Sequence, residues 1–394
     1  MTKVLIVNCV FEPEPVVSAQ IGMNLATKLS SLNYQVTVIA PRPSRPFGFE
    51  FETKFTKISE FDLIYLDSYI YPQSGIFGRL RESISFGIAS YKYICAHSDN
   101  IDIVYMNTWP IFSQLAVALA SKKISKPYKI HIQDIYPESI TNKLFIPLRY
   151  IMFKLLMPIE KYVLKNANKI IVISEKMKKY FMQTRNIKEK KIDVILNWQD
   201  DTIFHEYQNN WESGLLTFMY LGNIGPVAGI PFVIEAFAKA TLPNAQLIIA
   251  GVGSSKNSCI QIAEKYPETS IIFQDVPMGK VPSIQSLAHV MILPITKEAG
   301  NTSIPSKLSA YMFSARPIIA LAEKGTDIEI IISESKCGWV GEPENEAWLI
   351  NCFKKVCNID RLDLIHKGKL AQQYARINFS KENNLNKLIK SIIY

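Results

Sequence analysis

The 394-residue chain lacks the features that mark several large classes of protein. Its six cysteines are scattered with no Cys-x-x-Cys pair, which disfavours a disulfide scaffold or a zinc site and indicates a reduced, cytosolic setting. No apolar stretch approaches the roughly 20 residues of a spanning helix, and the first residues turn polar too soon for a signal peptide. Asp-x-Asp, His-Glu-x-x-His, Gly-x-Ser-x-Gly and P-loop motifs are missing. These absences disfavour metal-dependent sugar-nucleotide transfer of the Asp-x-Asp kind, zinc proteases, α/β-hydrolases and P-loop kinases.

The composition is that of a folded chain with more than one core. Hydrophobic residues make up 48% and charged residues 20%, with 17 glycines and 21 prolines, which excludes a disordered, collagen-like or low-complexity protein. Because ordinary domains hold roughly 100 to 200 residues, the length indicates two domains, or three at most.

Positive charge is concentrated in the first half of the chain. Residues 1–200 hold 26 Lys and Arg against 17 Asp and Glu, whereas residues 201–394 hold 18 of each, so the net charge of +9 arises in the first half. Within residues 122–191 there are 17 basic residues and five acidic ones. Either an anionic partner meets this segment or its lysines only solvate helices. The clustering favours a partner, but not nucleic acid, because the segment contains no recognisable reading module.

Short apolar runs alternate with helical stretches, which is typical of parallel sheets covered by helices on both faces. In the first half we predict strands at residues 4–10, 35–40, 63–66, 103–106, 129–133, 169–173 and 192–196. After a polar segment at 198–210 we predict strands at residues 216–221, 246–250, 270–273, 290–293, 317–321 and 338–340, and then helices at 346–356, 361–376 and 380–393. The sequence therefore predicts an α/β protein with two Rossmann-like doubly wound domains, facing each other across a cleft at the carboxyl ends of their strands.

Residues 301–312 contain a candidate phosphate site. They follow a predicted strand, and Pro305 lies at the expected first position of a helix. The N–H groups at a helix start, with hydroxyls from Thr302, Ser303 and Ser306, suit a phosphate. Lys307 adds a positive charge within one turn, so that a diphosphate could be held without a metal. An ordinary capped helix is the alternative.

Two glycine-containing loops follow predicted strands of the second half. Residues 220–229 contain Gly222, Gly225 and Gly229, which could let the backbone approach a ligand or could be plain turn residues. Residues 250–253 contain two glycines without the third of a dinucleotide fingerprint, which argues against a dinucleotide site.

Residues 131–138 run from the fifth predicted strand into the next loop, which puts Asp134 or Glu138 at the carboxyl end of the sheet. A carboxylate there could orient an acceptor hydroxyl or take its proton. Capping of a helix by Asp134, with Pro137 in its first turn, is the alternative.

Residues 148–165 mix aromatic and aliphatic side chains with four basic ones, and residues 76–94 are similar. The first of these segments either lies in the plane of an anionic membrane or packs on the sheet with a basic outer face.

Together these motifs resemble the retaining glycosyltransferases of family 4, which have the two-domain GT-B fold. The branch they resemble most is the WbuB-like group of fucosaminyltransferases in O-antigen and capsule synthesis. The resemblance spans the chain and rests on the order and spacing of residues 11–15, 133–139, 167–174, 195–200, 220–225, 305–312 and 316–317.

The resemblance implies a metal-independent hexosyltransferase without a cofactor. Residues 1–198 would bind the acceptor, residues 199–375 would bind the nucleotide sugar, and a helix in residues 376–394 would cross back to the first domain. The enzyme would move a sugar, such as N-acetylfucosamine, from a UDP donor to a lipid-diphosphate-linked saccharide, as a peripheral protein at the cytoplasmic face of an anionic cell membrane. The implied residues are Asp134 and Lys307 for catalysis, Gly222, Asn223, Gly225, Thr302, Ser303, Ser306 and Lys307 for the donor, and Glu14, Ser18 and Glu138 for the acceptor.

The chain also departs from the family pattern. Two glutamates usual in the family, eight residues apart, are replaced by Thr302 and Ala310, and the cation usual in the glycine loop is replaced by Pro226 or Ala228. The first loop reads Pro-Val-Val-Ser at residues 15–18 in place of paired glycines. Two other functions therefore stay open: a GT-B-fold sugar-nucleotide epimerase, and a peripheral scaffold that has lost activity.

Overall fold

The computed structural model describes residues 1–45, 60–71, 75–107, 111–142, 144–198, 200–204, 211, 214–277, 279–296 and 304–394. The chain divides into two compact units, Met1–Asn197 with Leu385–Tyr394, and Trp198–Asn384. The predicted boundary after residue 198 differs from this division by one residue. The predicted final segment began at residue 376, whereas only the last ten residues group with the first unit. Within the described ranges, no helix has the length and apolar character needed to span a bilayer.

The first unit is built on a sheet in which every strand runs parallel to its neighbours. Its strands are β1 (Lys3–Asn8), β2 (Gln35–Pro41), β3 (Asp62–Leu66), β4 (Ile103–Asn107), β5 (Tyr128–Ile132), β6 (Lys169–Val172) and β7 (Ile192–Val194), in the order β3-β2-β1-β4-β5-β6-β7. Its helices are α1 (Val17–Ser31), α2 (Ile76–Ala96), α3 (Ile111–Lys123), α4 (Glu138–Thr141), α5 (Ile146–Asn166) and α6 (Glu175–Arg185).

The second unit repeats this plan with a smaller parallel sheet. Its strands are β8 (Leu216–Leu221), β9 (Ala245–Ala250), β10 (Ile271–Gln274), β11 (Val290–Pro294), β12 (Ile318–Leu321) and β13 (Gly338–Gly341), in the order β10-β9-β8-β11-β12-β13. Its helices are α7 (Ile230–Ala240), α8 (Lys256–Ala263), α9 (Val281–Gln285), α10 (Ser306–Phe313), α11 (Asp327–Ser335), α12 (Glu346–Cys357) and α13 (Arg361–Asn378). The last helix, α14 (Lys381–Ile393), begins in this unit and ends in the first, where Ser391 donates a 2.7 Å hydrogen bond to Asp193.

Continuous apolar strands explain both sheets. The central strands β4 and β11 are buried along their whole length, as expected when helices cover both faces of a parallel sheet. In the second unit, Phe218, Phe237 and Phe353 pack edge to face, with ring centroids 5.0 to 5.8 Å apart, and join the sheet to α7 and α12.

The strand order reverses once in each sheet, between β1 and β4 in the first unit and between β8 and β11 in the second. In open α/β sheets, ligands bind outside the carboxyl ends of the strands at such a point. The loops after β1, β8 and β11 are therefore the places to look for a site.

The predicted fold class is confirmed, with two Rossmann-like parallel sheets. Each of the thirteen predicted strands is present, with ends that differ from the prediction by at most two residues. The three predicted C-terminal helices are present as α12, α13 and α14. The cleft between the two domains stays a prediction.

Candidate active site

Lys307, in the first turn of α10, lies over the loop that follows β8. Its Nζ donates a 2.5 Å hydrogen bond to Tyr220 Oη and lies 4.7 Å from the centroid of the Tyr220 ring. Burial lowers the pKa of Lys307. Among the described residues, Lys307 takes part in no ion pair. A half-buried ammonium group without a carboxylate partner is suited to an anionic ligand.

Tyr220 links Lys307 to the backbone of the glycine loop. Its hydroxyl accepts from Lys307 and donates a 2.6 Å hydrogen bond to the carbonyl of Asn223. Burial raises the pKa of Tyr220, so this hydroxyl stays protonated and keeps its donor role. The side chain of Asn223 itself is exposed.

At Gly222, where φ is +155°, the end of the Lys307 side chain occupies the space that a Cβ would fill. A Cβ added at Gly222 would lie 2.2 Å from Cε and 2.8 Å from Nζ of Lys307. At Gly225 the constraint is milder, since an added Cβ would lie 3.2 Å from Nδ2 of Asn223. The structure therefore brings together Gly222, Asn223 and Lys307 from two separate motifs of the sequence.

Tyr311 fixes α10 to the end of β8. Its hydroxyl accepts a 3.0 Å hydrogen bond from the N–H of Leu221 and donates one of 2.7 Å to the carbonyl of the same residue. Tyr311 is completely buried and lies one turn beyond Lys307. This contact positions the first turn of α10 beside the glycine loop.

Gly251 and Gly253 support the loop by close backbone packing. A Cβ at Gly251, where φ is +135°, would lie 2.1 Å from the carbonyl oxygen of Gly222, and a Cβ at Gly253 would lie 2.2 Å from that of Ile224. These two glycines thus have a packing role that the sequence pattern alone did not indicate.

The start of α10 differs slightly from the prediction. The helix begins at Ser306, and Pro305 is the residue before it, with an extended backbone and no side-chain cap. Ser306 is exposed, whereas Thr302 and Ser303 lie outside the described residues. Ala310 is buried within α10, and as an alanine it supplies no carboxylate to a ligand. Within the described ranges, no group of three His, Cys, Asp or Glu residues could hold a metal ion, and metal independence stays a prediction.

In the first unit, Glu14 belongs to the loop after β1, and its side chain is buried. Its carboxylate accepts hydrogen bonds from the N–H groups of Ser44 (2.9 Å), Arg45 (2.8 Å) and Phe11 (3.3 Å). Burial raises the pKa of Glu14, while these hydrogen bonds oppose the rise. The structure therefore gives Glu14 a role in holding the loop, and acceptor binding by this residue stays a prediction.

Ser18, in the first turn of α1, is half-buried. Its carbonyl accepts hydrogen bonds from the side-chain amides of Asn8 (3.3 Å) and Asn107 (3.4 Å), at the ends of β1 and β4. Gly22 allows this close packing, because a Cβ there would lie 2.1 Å from Nδ2 of Asn8. Ser18 is thus placed at the strand-order reversal, where acceptor contact is predicted.

Glu138 belongs to a buried charge cluster. Its carboxylate accepts hydrogen bonds from Arg185 Nη2, at 2.6 and 2.8 Å, and from the hydroxyl of Tyr180, at 2.5 Å. Arg185 Nε also donates to Glu160 at 2.7 Å, and its Nη2 donates to the carbonyl of Tyr136. Because Arg185 and Tyr180 engage Glu138, its structural role is to hold the loop after β5, and its role in acceptor binding stays a prediction.

Asp134 is exposed two residues beyond the end of β5. The alternative in which Asp134 caps a helix is wrong, since α4 begins at Glu138 after Pro137 and has no side-chain cap. Asp134 is therefore placed at the carboxyl end of the sheet, and its catalytic role stays a prediction.

A chain of hydrogen bonds joins four side chains, those of Tyr105, His131, Gln133 and Asn197. Burial lowers the pKa of His131 to about 3, so its ring is neutral. Gln133 Nε2 can only donate to His131 Nε2, at 3.1 Å, so His131 Nδ1 carries the proton and donates to Tyr105 Oη at 2.7 Å. Asn197 completes the chain by donating to Gln133 Oε1 at 2.9 Å.

The basic segment 122–191 is spread over several elements, and part of its charge is neutralised. Ion pairs engage Lys126 with Asp102 (3.3 Å), Lys169 with Asp193 (2.7 Å), Lys178 with Glu189 (2.9 Å) and Arg185 with Glu138 and Glu160. The exposed cations of the segment on α5 are Arg149, Lys154, Lys161 and Lys165.

The fold and these loops define a two-domain α/β protein of GT-B architecture. In agreement, residues 22–202 match the family Glycosyltransferase Family 4, and residues 201–370 match Glycosyl transferases group 1. The two matches adjoin and together cover most of the chain, which is a glycosyltransferase of the GT-B type.

Individual relatives are distant. The chain is 23% identical over 291 residues to the probable glycosyltransferase WbjE of Pseudomonas aeruginosa, covering 70% of this chain and 71% of that one. Among solved structures it is similar to HepE of Anabaena in complex with UDP, with a TM-score of 0.68, 15% identity and 99% of both chains covered. It is also similar to the sucrose-phosphate synthase of Thermosynechococcus elongatus, with a TM-score of 0.71, 15% identity and 98% of both chains covered. At such identities these structures establish the fold alone.

Proposed function

We propose that this glycosyltransferase moves an N-acetylated amino sugar from a UDP donor to a lipid-diphosphate-linked saccharide, with retention at the anomeric carbon. The product would serve bacterial surface polysaccharide synthesis. The observation that carries the proposal is Lys307, a half-buried cation held at the β8 loop by Tyr220 with no carboxylate partner among the described residues.

The chemistry would be electrostatic. When the bond between sugar and diphosphate breaks, negative charge grows on the departing diphosphate, and a fixed cation beside it stabilises that charge. Lys307 would supply the cation, and the loop that holds Gly222, Asn223 and Gly225 would line the diphosphate. Positioning of the acceptor hydroxyl would supply a further part of the rate. Exposed Asp134 is the residue of the first unit that we propose beside the transferring sugar.

The relatives support the donor and the pathway class. HepE of Anabaena has been solved with UDP and with UDP-glucose. WaaG, another structural neighbour with a TM-score of 0.63, is a glycosyltransferase involved in lipopolysaccharide biosynthesis. A lipid-linked acceptor would place this enzyme at the cytoplasmic face of the membrane as a peripheral protein.

A thermal-shift screen tests the donor assignment, since a ligand selective for the folded state raises the melting temperature. We expect UDP-sugars to raise the Tm of the wild-type chain more than GDP- or ADP-sugars do. Lys307→Ala should lose most of that shift, whereas Lys355→Ala, an exposed lysine of α12, should keep it. A chain that responds to no nucleotide sugar would instead be a scaffold, and donor conversion without acceptor would identify an epimerase.

A further inference from the structure

The outer face of α5 combines exposed apolar side chains with positive charge. Tyr150, Ile151 and Leu155 are 61%, 54% and 62% exposed, although each is large and apolar or aromatic. Lys154 and Lys161 lie on the same side of the helix and are also exposed. Lys154 Nζ lies 4.4 Å from the centroid of the Tyr150 ring. We call these five residues the α5 outer face.

Negative charge is missing from this face. The only acid in α5 is Glu160, which is buried and bonded to Arg185. Towards the end of the helix, Lys165 extends the positive charge. A helix with exposed apolar residues, several cations and no exposed acid has the composition of a segment that lies at an anionic lipid surface.

Neighbouring helices extend the surface. In α2, Phe77, Ile84 and Ile88 are exposed at intervals of seven and four residues, which places them on one side of that helix. Helix α3 lies between α2 and α5, because Lys123 lies 5.5 Å from the ring centroid of Tyr91 in α2 and Lys122 lies 5.9 Å from that of Tyr162 in α5. The apolar exposure thus belongs to one layer of helices.

A second copy of the chain fits this face less well. In a two-fold symmetric dimer the same patch faces itself, so Lys154 and Lys161 would face the same cations of the second copy without an acid between them. Lipid headgroups carry the opposite charge, and the acyl boundary accepts the apolar side chains.

We propose that the α5 outer face is a membrane-insertion surface, in which Tyr150, Ile151 and Leu155 enter the headgroup and acyl boundary while Lys154 and Lys161 bind anionic headgroups. This inference deepens the proposed function and rests on it for the lipid-linked acceptor. It differs from binding by lysines alone, because insertion of apolar side chains persists when salt screens the charges.

Vesicle co-sedimentation of the full chain, without donor or acceptor, tests the surface separately from catalysis. We expect tight binding to vesicles containing phosphatidylglycerol, weaker binding to pure phosphatidylcholine, and partial retention at about 1 M salt, where the Debye length is about 3 Å. The triple variant Tyr150→Ser/Ile151→Ser/Leu155→Ser should weaken partitioning at least about tenfold at both salt concentrations. Lys154→Gln/Lys161→Gln should weaken it about 10- to 30-fold at low salt and little at high salt.

Matched variants in the second unit control for general changes in surface character. Leu362→Ser/Ile377→Ser removes two apolar residues of α13 that are at least as exposed, and Lys354→Gln/Lys355→Gln removes two exposed cations of α12. Both should bind vesicles like the wild type, and all variants should keep the wild-type Tm.

Three results would overturn the insertion surface. The first is equal vesicle binding by the wild type and both α5 variants. The second is binding that disappears completely at high salt, which would mean an electrostatic contact without insertion. The third is a wild-type dimer, seen by sedimentation, that the triple variant converts to a monomer without any change in vesicle binding. Activity on a soluble acceptor analogue, measured in parallel, shows whether the proposed transferase function stands when the surface fails.

Discussion

The two units secure their carboxyl-end loops by different physical means. In the first unit, buried charges do so: Glu14 binds three backbone N–H groups, and Arg185 bridges Glu138 and Glu160. In the second unit, tyrosine hydroxyls and close glycine contacts do so, through Tyr220, Tyr311 and the glycines at 222, 251 and 253.

The difference determines which charges can act on a ligand. The cation of Arg185 is already neutralised by two carboxylates, so it contributes to stability. The cation of Lys307 is held by a neutral hydroxyl and keeps its charge for another partner. Loss of the first should therefore destabilise the fold, whereas loss of the second should leave the fold and abolish most of the activity.

The largest expected effect is on stability, from Arg185→Met. Removing the guanidinium leaves Glu138 and Glu160 without their partner in a buried site, and breaking such a pair costs about 3–5 kcal/mol. Denaturant unfolding at pH 8 measures the loss. Lys239→Met, which breaks an exposed pair with Glu346, should cost much less, because solvent screens that pair. Equal losses in both variants would refute the buried-network assignment.

Lys307→Ala should have the largest effect on activity with little effect on folding. Loss of one electrostatic contact to a charge that develops in the transition state lowers rates by about 10²–10³-fold. The measurement is kcat/KM with an identified UDP-sugar, with Lys355→Ala as the control. Near wild-type kcat/KM in Lys307→Ala would remove this residue from the site.

Gly222→Ala should displace Lys307, because the new Cβ would lie 2.2 Å from Cε. We expect kcat/KM to fall about 10- to 100-fold, as when a charged group is misplaced by about 1 Å. In the double variant with Lys307→Ala, the second substitution should add little. Gly214→Ala is the control, since nothing lies within 4 Å of its added Cβ. Full additivity would mean that Gly222 acts through something other than Lys307.

The pH dependence of the free energy of unfolding should reflect the protonation of Glu160. Burial raises the pKa of Glu160 to about 7, against the opposing effect of Arg185, from an ordinary value near 4.5. Between these values the folded state binds the proton more than the unfolded state does, so the free energy of unfolding should fall as pH rises from about 4.5 to about 7. Glu160→Gln should flatten this slope, and Glu346→Gln should keep it. A slope that survives Glu160→Gln would assign it to another group.

The smallest expected effect is that of Tyr220→Phe. The ring remains beside Lys307, but the hydroxyl that accepts from Nζ is lost. Because this hydrogen bond favours the charged amine, its loss should lower the pKa of Lys307 further. Activity needs the ammonium form of Lys307. As the pH is raised, kcat/KM of the variant should therefore begin to fall at a lower pH than that of the wild type, and near neutrality it should be about three- to tenfold lower. If kcat/KM of the variant and the wild type falls at the same alkaline pH, Tyr220 does not position Lys307.

Sequence reasoning recovered the strands because their apolar runs are local. Even β3 and β10, which are only partly buried, were found from their hydrophobic runs. It also selected Lys307 and Gly222, but as members of separate motifs. It missed Tyr220 and Tyr311 as site residues, since tyrosine in a strand or helix carries no signal of what its hydroxyl binds. Nor could it tell which cations of residues 122–191 are paired within the fold, as Lys126, Lys169 and Lys178 are.

The sequence by itself determined two parallel α/β sheets, because the alternation of buried strands and amphipathic helices depends on the hydrophobic pattern of neighbouring residues. It also determined where loops follow the strands. Only the tertiary structure decided which charges remain for a ligand, because charge pairing depends on contacts between distant positions. Lys307 and Tyr220 are 87 residues apart in the chain and 2.5 Å apart in space, whereas Arg185 finds Glu138 across 47 residues.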